Sequence, residues 1–118
     1  MEEQYNRFLE KSGIQFKQHQ FEGVKWCIDN ENRSITNDSP IRGGFVADEM
    51  GLGKTITMIA TFILNFTPRT LIVLPNILVE QWRAEILRTT GHNPLIYHGV
   101  AKKKITLQHL FNAPVVIT

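Results

Sequence analysis

The run Asp48-Glu49-Met50-Gly51-Leu52-Gly53-Lys54-Thr55 holds the residue types that cradle a chain of phosphates. Glycines let a backbone turn tightly, so that successive N–H groups point inward at phosphate oxygens. A helix opening at Lys54 adds the positive end of its dipole. Lys54 then reaches the β- and γ-phosphates, and Thr55 holds Mg²⁺ through its hydroxyl. The general phosphate-loop pattern places Gly five residues before Gly53, where this chain has Asp48. The Gly-x-Gly-Lys-Thr core by itself also fits a plain strand-to-helix turn, so its context decides.

That context comes from hydrophobic periodicity. Gly44-Phe45-Val46-Ala47 is a short apolar run stopping at the Gly-rich turn, which predicts a buried strand. Lys54 to Asn65 carries Ile56, Ile59, Ala60 and Ile63 at helical spacing. Upstream, Phe21, Val24 and Ile28 predict a helix over His19 to Asn30. The polar stretch Glu31 to Pro40 reads as a solvated loop. Leu71-Ile72-Val73-Leu74, ended by Pro75, suits a parallel strand covered on both faces. Asn76 can cap the next helix, with Leu78, Trp82 and Ile86 along one side. Leu95-Ile96-Tyr97 predicts a strand, Lys103 to Phe111 a helix and Val115-Val116-Ile117 a last strand. Strands alternating with helices across long connections imply an α/β fold, a parallel sheet flanked by helices. Ligands of such sheets bind at the carboxyl ends of the strands.

The whole chain is consistent with one small domain. It has 118 residues, 42% of them hydrophobic and 20% charged, which argues against disorder. Its formal net charge of +2 neither demonstrates nor opposes a nucleic-acid partner. Cys27 is the one cysteine, so no internal disulfide forms, and its apolar neighbours point to a buried, inert thiol in a reducing compartment. No apolar run approaches a membrane span and no secretory signal precedes the domain, so an intracellular setting is expected, nuclear or viral/bacterial cytoplasmic. His92 and His98 lack metal-ligand spacing to Cys or acidic partners. Phe45-Val46-Ala47-Asp48-Glu49 looks like a strand ending in metal-orienting acids, but it runs straight into the phosphate loop. The required acid must come from a neighbouring strand, and no other apolar strand here ends in Asp.

Three segments together resemble the Swi/Snf-type superfamily 2 ATPases. Phe16-Lys17-Gln18-His19-Gln20-Phe21-Glu22-Gly23-Val24-Lys25-Trp26 is similar to that family's opening motif. Ala47 to Thr55 matches its phosphate loop, including the Asp that breaks the general pattern. Leu71 to Trp82, a strand, a Pro and a helix bearing Gln-Trp, is similar to the next motif. Tyr97-His98-Gly99 and Val115 to Thr118 look like later strand ends of the same lobe. The resemblance covers residues 14 to 118, leaving 1–13 as an N-terminal extension.

The resemblance implies an incomplete RecA-like P-loop NTPase lobe using ATP and Mg²⁺. Gln20 would read the adenine edge, its amide offering both a donor and an acceptor; the alternative is a helix-start Gln that caps or is solvated. Beside it, His19 has no nucleophile to pair with and reads as a packing or capping residue. Asp48, Glu49, Met50, Gly51, Leu52, Gly53, Lys54 and Thr55 would hold the nucleotide. Pro75, Asn76 and Gln81 would face double-stranded DNA, held at phosphates without base readout. Trp82 and Trp26 fall at spacing that favours packing over base stacking. Lys102-Lys103-Lys104, the one dense basic run, reads as a solvated helix start, with a nucleic-acid contact as the alternative. The family's hydrolytic Asp-Glu strand and its second RecA-like lobe are expected beyond Thr118, leaving these residues able to bind ATP weakly without useful turnover. A non-hydrolysing nucleotide- or DNA-binding module is the alternative. An unrelated P-loop phosphotransferase needs neither the Gln20 segment nor the Pro75-to-Trp82 segment.

Overall fold

A computed structural model describes residues 1–34, 41–46, 53–67 and 69–118. They form two compact units, Met1–Asn65 and Phe66–Thr118. The first is helical. Helix α1 spans Glu2–Ser12, α2 spans Gln18–Glu31 and α3 spans Lys54–Leu64. Helix α1 opens on Glu2 and Glu3 and closes on Lys11, charges that complement its dipole. Gly13 ends it in the left-handed region (φ 68°), where Gly13 N–H reaches Glu10 O and Ile14 N–H reaches Leu9 O at 3.1 Å. That double closure satisfies carbonyls that the helix end leaves open.

The core of this unit comes from all three helices. Tyr5, Phe8 and Leu9 of α1 are buried, with Val24, Cys27 and Ile28 of α2 and Ile59 and Ala60 of α3. The inert-thiol reading of Cys27 agrees with its burial. Helices α2 and α3 pack against each other at Gly23, where a Cβ would stand 3.4 Å from Thr57 Cγ2. The face of α3 that is buried is rotated from the predicted one. It carries Thr57, Ile59, Ala60 and Thr61, while Ile56 and Ile63 are half-buried. The threonines enter the core because their hydroxyls are satisfied locally, Thr61 Oγ1 donating to Thr57 O at 2.7 Å and Thr57 Oγ1 to Gly53 O at 3.2 Å.

Tyr5 is fully buried, and its hydroxyl has no hydrogen-bond partner among the described residues. A buried unsatisfied hydroxyl costs about 1–3 kcal/mol. Tyr5→Phe keeps the ring and should leave the chain as stable or up to about 1 kcal/mol more stable in urea melts. Burial also raises the Tyr5 pKa above the ordinary 10.0. Folding therefore favours the protonated phenol. The stability tied to it is fully present below pH 10.0 and is lost as pH rises through the higher folded value. The parent should lose stability in that alkaline window more steeply than Tyr5→Phe.

The second unit is a three-stranded parallel sheet with helices between its strands. Strand β1 (Thr70–Ile72), helix α4 (Asn76–Thr90), strand β2 (Leu95–Ile96), a 3-10 helix (Gly99–Lys104), helix α5 (Leu107–Asn112) and strand β3 (Val115–Ile117) follow in order. The sheet order is β1-β3-β2, with Leu71 opposite Val116 and Ile96 opposite Ile117. The last strand in the chain is thus the central one. Its three residues are all buried, as a covered parallel strand should be. The α/β class and the parallel sheet agree with the sequence.

Several local readings need correction. Strand β1 is not covered on both faces: Leu71 and Val73, on the same side of the chain, are 62% and 72% exposed. Residues 44–46 form no strand, and Phe45 is 94% exposed; Ala47 lies outside the described residues. Gly43, just before this run, takes φ 86°, and its N–H donates to Asn30 O at the end of α2. Trp26 is 46% exposed and is no core residue: its ring edge covers Gly44, 2.7 Å from where a Cβ would sit. Asn76 caps nothing, since Pro75 takes the N-cap position in an extended conformation and α4 begins at Asn76. The buried side of α4 is Val79, Ile86 and Thr89, with Leu78 and Trp82 half-buried beside it. The predicted helix from Lys103 to Phe111 is broken at Ile105 and Thr106. Thr106 accepts from His109 N–H while His109 Nδ1 accepts from Thr106 N–H, a capping box that starts α5.

Candidate functional site

In the first unit the site is built around Gly53. It stands at the N-cap of α3 in the left-handed region (φ 79°, ψ 40°) and offers no side-chain cap. The first N–H bonded back into the helix is that of Thr57, donating to Gly53 O at 3.1 Å. The N–H groups of Lys54, Thr55 and Ile56 consequently have no intrahelical acceptor. No acidic residue lies in this first turn. Lys54 there is the reverse of what the dipole prefers, a mismatch of about 0.3–1 kcal/mol. N–H groups without an intrahelical acceptor, the positive helix end and a lysine converge at one spot, and an anion would suit all three.

Lys54 is half-buried and lines a cavity of about 280 Å³ with Trp26, Asn30, Phe45 and Met58. Thr55, also half-buried, presents one hydroxyl. One protein oxygen suits Mg²⁺ carried in with phosphates and water, since that ion keeps much of its own hydration. Among the described residues no group of three His, Cys, Asp or Glu could hold a metal alone. Asp48, Glu49, Met50, Gly51 and Leu52, the rest of the sequence-predicted loop, lie outside the described residues.

Gln20 is the distant residue that the fold brings in. It is 4% exposed, and a Cβ at Gly53 would overlap its side-chain amide. The Gln20 side chain is therefore not solvated. Helix α2 delivers Gln20 because Lys17, extended at φ −134°, starts the helix just before it. His19 is exposed in the same turn. The structure thus groups Gln20, Gly53, Lys54 and Thr55.

The second unit holds the other predicted set. Pro75 and Asn76 stand exposed where the chain leaves β1 for α4. Gln81 is exposed too, but five residues along the helix puts it about 140° around the axis from Asn76. The three are not gathered into one cluster. The arginines of α4 are engaged locally: Arg83 Nε donates to Glu80 at 2.8 Å and Arg83 also reaches Asn93, while Arg88 pairs with Glu85. Arg83 holds the Glu80 carboxyl below its usual range. These exposed pairs add little stability. Lys102, Lys103 and Lys104 are solvent-exposed, in the last turn of the 3-10 helix and not at a helix start. Their charge there suits the negative helix end. Sequence reasoning missed the Thr106–His109 box, whose Thr-x-x-His spacing departs from the usual acidic or amide partner. No helix among the described residues is long and apolar enough to cross a membrane.

Comparison with known proteins supplies the relationship. The model of the SNF2-related domain matches residues 19–118. The chain is 34% identical over 110 residues to an ATP-dependent helicase of Schizosaccharomyces pombe, covering 86% of this chain and 10% of that protein. Against the ATP-dependent helicase rhp16 of the same organism it is 39% identical over 104 residues, covering 84% and 11%. An ISWI chromatin-remodeling complex ATPase of Saccharomyces cerevisiae is 32% identical over 95 residues, with 75% and 8% covered. The chain thus spans about a tenth of the length of these relatives. In fold it is similar to the SWI2/SNF2 ATPase core of Sulfolobus solfataricus solved with double-stranded DNA, at a TM-score of 0.70 and 24% identity over 89% of this chain and 21% of that one. With the family model matched from His19 to the last residue, this chain belongs to the SNF2-related family of Swi/Snf-type helicase-like ATPases.

Proposed function

We propose that this chain is the ATP-binding part of the first RecA-like lobe of a DNA-stimulated ATPase that moves along duplex DNA. Residues 14–118 form that part, and 1–13 precede it. The observation that carries the reading is the burial of Gln20 against Gly53, at the uncapped start of a helix whose first residue is Lys54. Gly53 and the free N–H groups of Lys54 and Thr55 take the phosphates, together with Asp48 to Leu52. Lys54 neutralises the β- and γ-phosphates, and Thr55 gives Mg²⁺ one oxygen. Gln20 reads adenine, whose edge pairs a donor with an acceptor where guanine shows two acceptors. Pro75, Asn76 and Gln81 approach DNA phosphates, with binding that weakens steeply in salt. The setting is intracellular, and the names of the relatives, ATP-dependent helicases and a chromatin-remodeling ATPase, support the motor reading.

None of the strands β1, β2 and β3 is directly followed by Asp or Glu within these 118 residues. A polypeptide of these 118 residues is accordingly expected to bind ATP weakly and turn it over at background rate. The test is a titration of fluorescent ATP and GTP, each with Mg²⁺, onto folded parent and Gln20→Ala chains. The parent should prefer ATP, and Gln20→Ala should lose about tenfold of that preference, the scale of one good base-edge contact. Equal preference in both chains would remove Gln20 from the site.

A further inference from the structure

Helix α1 lies wholly before the matched family segment, which begins at His19. Yet it contacts α3 and, through Tyr5, reaches the first turn of α2. Three rings close a triangle there. Tyr5 meets Phe21 at 5.4 Å between centroids and Phe16 at 6.0 Å edge-on, and Phe16 meets Phe21 at 6.0 Å. Phe21 follows Gln20 directly, and its N–H donates to Lys17 O, fixing the turn that carries both. On its other side the Gln20 amide meets Gly53, the N-cap of α3. One helix therefore braces both elements that enclose the Gln20 side chain. A glutamine has three rotatable bonds, and holding its amide in one orientation costs conformational entropy unless the frame is already rigid. Its power to tell adenine from guanine depends on that orientation, because the amide must present donor and acceptor in the right order.

We propose that Tyr5 is a positioning residue through which α1 sets the adenine selectivity of the purine-triphosphate site, acting by way of Phe21 on Gln20. This rests on the reading of Gln20 as the adenine reader. A segment ahead of the nucleotide-binding motifs thereby becomes part of their specificity.

The test uses the 118-residue chain with Tyr5→Ala, Tyr5→Phe, Phe16→Ala and Gln20→Ala. Two quantities are read: the ratio of Kd values for MgGTP and MgATP, and the Gln20 side-chain amide resonance, assigned by its loss in Gln20→Ala. Tyr5→Ala should move the resonance and bring the ratio to within about twofold of one, with triphosphate binding itself retained. Tyr5→Phe, which keeps the ring, should restore both, and a loss of selectivity with triphosphate affinity kept in folded Tyr5→Ala is what a fall in general stability would not produce. A folded Tyr5→Ala with resonance and ratio as in the parent overturns the proposal. If Tyr5→Ala does not fold, Phe16→Ala decides by the same criteria, since Phe16 is already 41% exposed. Gln20→Ala separates the two readings. An unchanged ratio there sinks the adenine assignment itself, whereas a changed ratio there beside an unchanged Tyr5→Ala sinks only the coupling. The resonance tests the coupling even without nucleotide.

Discussion

Replacing Lys54 with Ala is expected to weaken MgATP binding by about 10- to 100-fold, the scale of a charge-assisted contact to phosphate. The helix itself should not suffer. Lys54 stands in the first turn of α3 beside no acid, where its charge opposes the dipole, so its removal relieves a repulsion. Thermal or urea unfolding of Lys54→Ala should therefore match or slightly exceed that of the parent while affinity collapses. This split is what distinguishes a ligand-binding lysine from a structural one. A parallel fall in stability and binding would assign Lys54 to the fold, and retained binding would move the phosphates elsewhere.

Gly53→Ala should be the more damaging change to the chain itself. An alanine at φ 79° costs about 1–2 kcal/mol, as any L-residue does in the left-handed region. Its Cβ also overlaps the Gln20 amide, a buried side-chain end that must turn away to admit it. Overpacking of that kind adds about 1–3 kcal/mol. Gly13 provides the control. It too has positive φ, at 68°, but nothing stands within 4 Å of its Cβ position. Gly13→Ala should cost only the backbone share, about 1–2 kcal/mol in urea melts. The excess of Gly53→Ala over Gly13→Ala measures the contact between the two motifs, and that variant should also lose nucleotide selectivity. Equal losses would mean that Gln20 does not rest on Gly53 in solution.

Which of these features the sequence announced follows from how local each one is. Helix α2 was legible to within a residue at each end, because Phe21, Val24 and Ile28 repeat at helical spacing. The three strands of the sheet were legible as β-branched and leucine runs. Helix faces were read less well. Thr57 and Thr61 of α3 look polar in the sequence, yet they are buried because each returns its hydroxyl to a carbonyl one turn back. Trp26 looked apolar enough for the core, and ended as a half-exposed lid on Gly44. Periodicity states that a residue is apolar; it does not state which neighbour covers it.

Residue types and their order, by themselves, determined the candidate phosphate-binding core Gly53-Lys54-Thr55, the candidate adenine reader Gln20, the α/β class and the family resemblance, because each rests on local spacing or linear order. Tertiary structure decided what is near what. It put the last strand in the middle of the sheet, left Leu71 and Val73 exposed, and pressed Gln20 against Gly53. It also turned the segment before the motifs into a brace, through Tyr5 and two phenylalanines. Burial and contact between distant residues depend on the packing of whole elements, and no spacing along the chain encodes them.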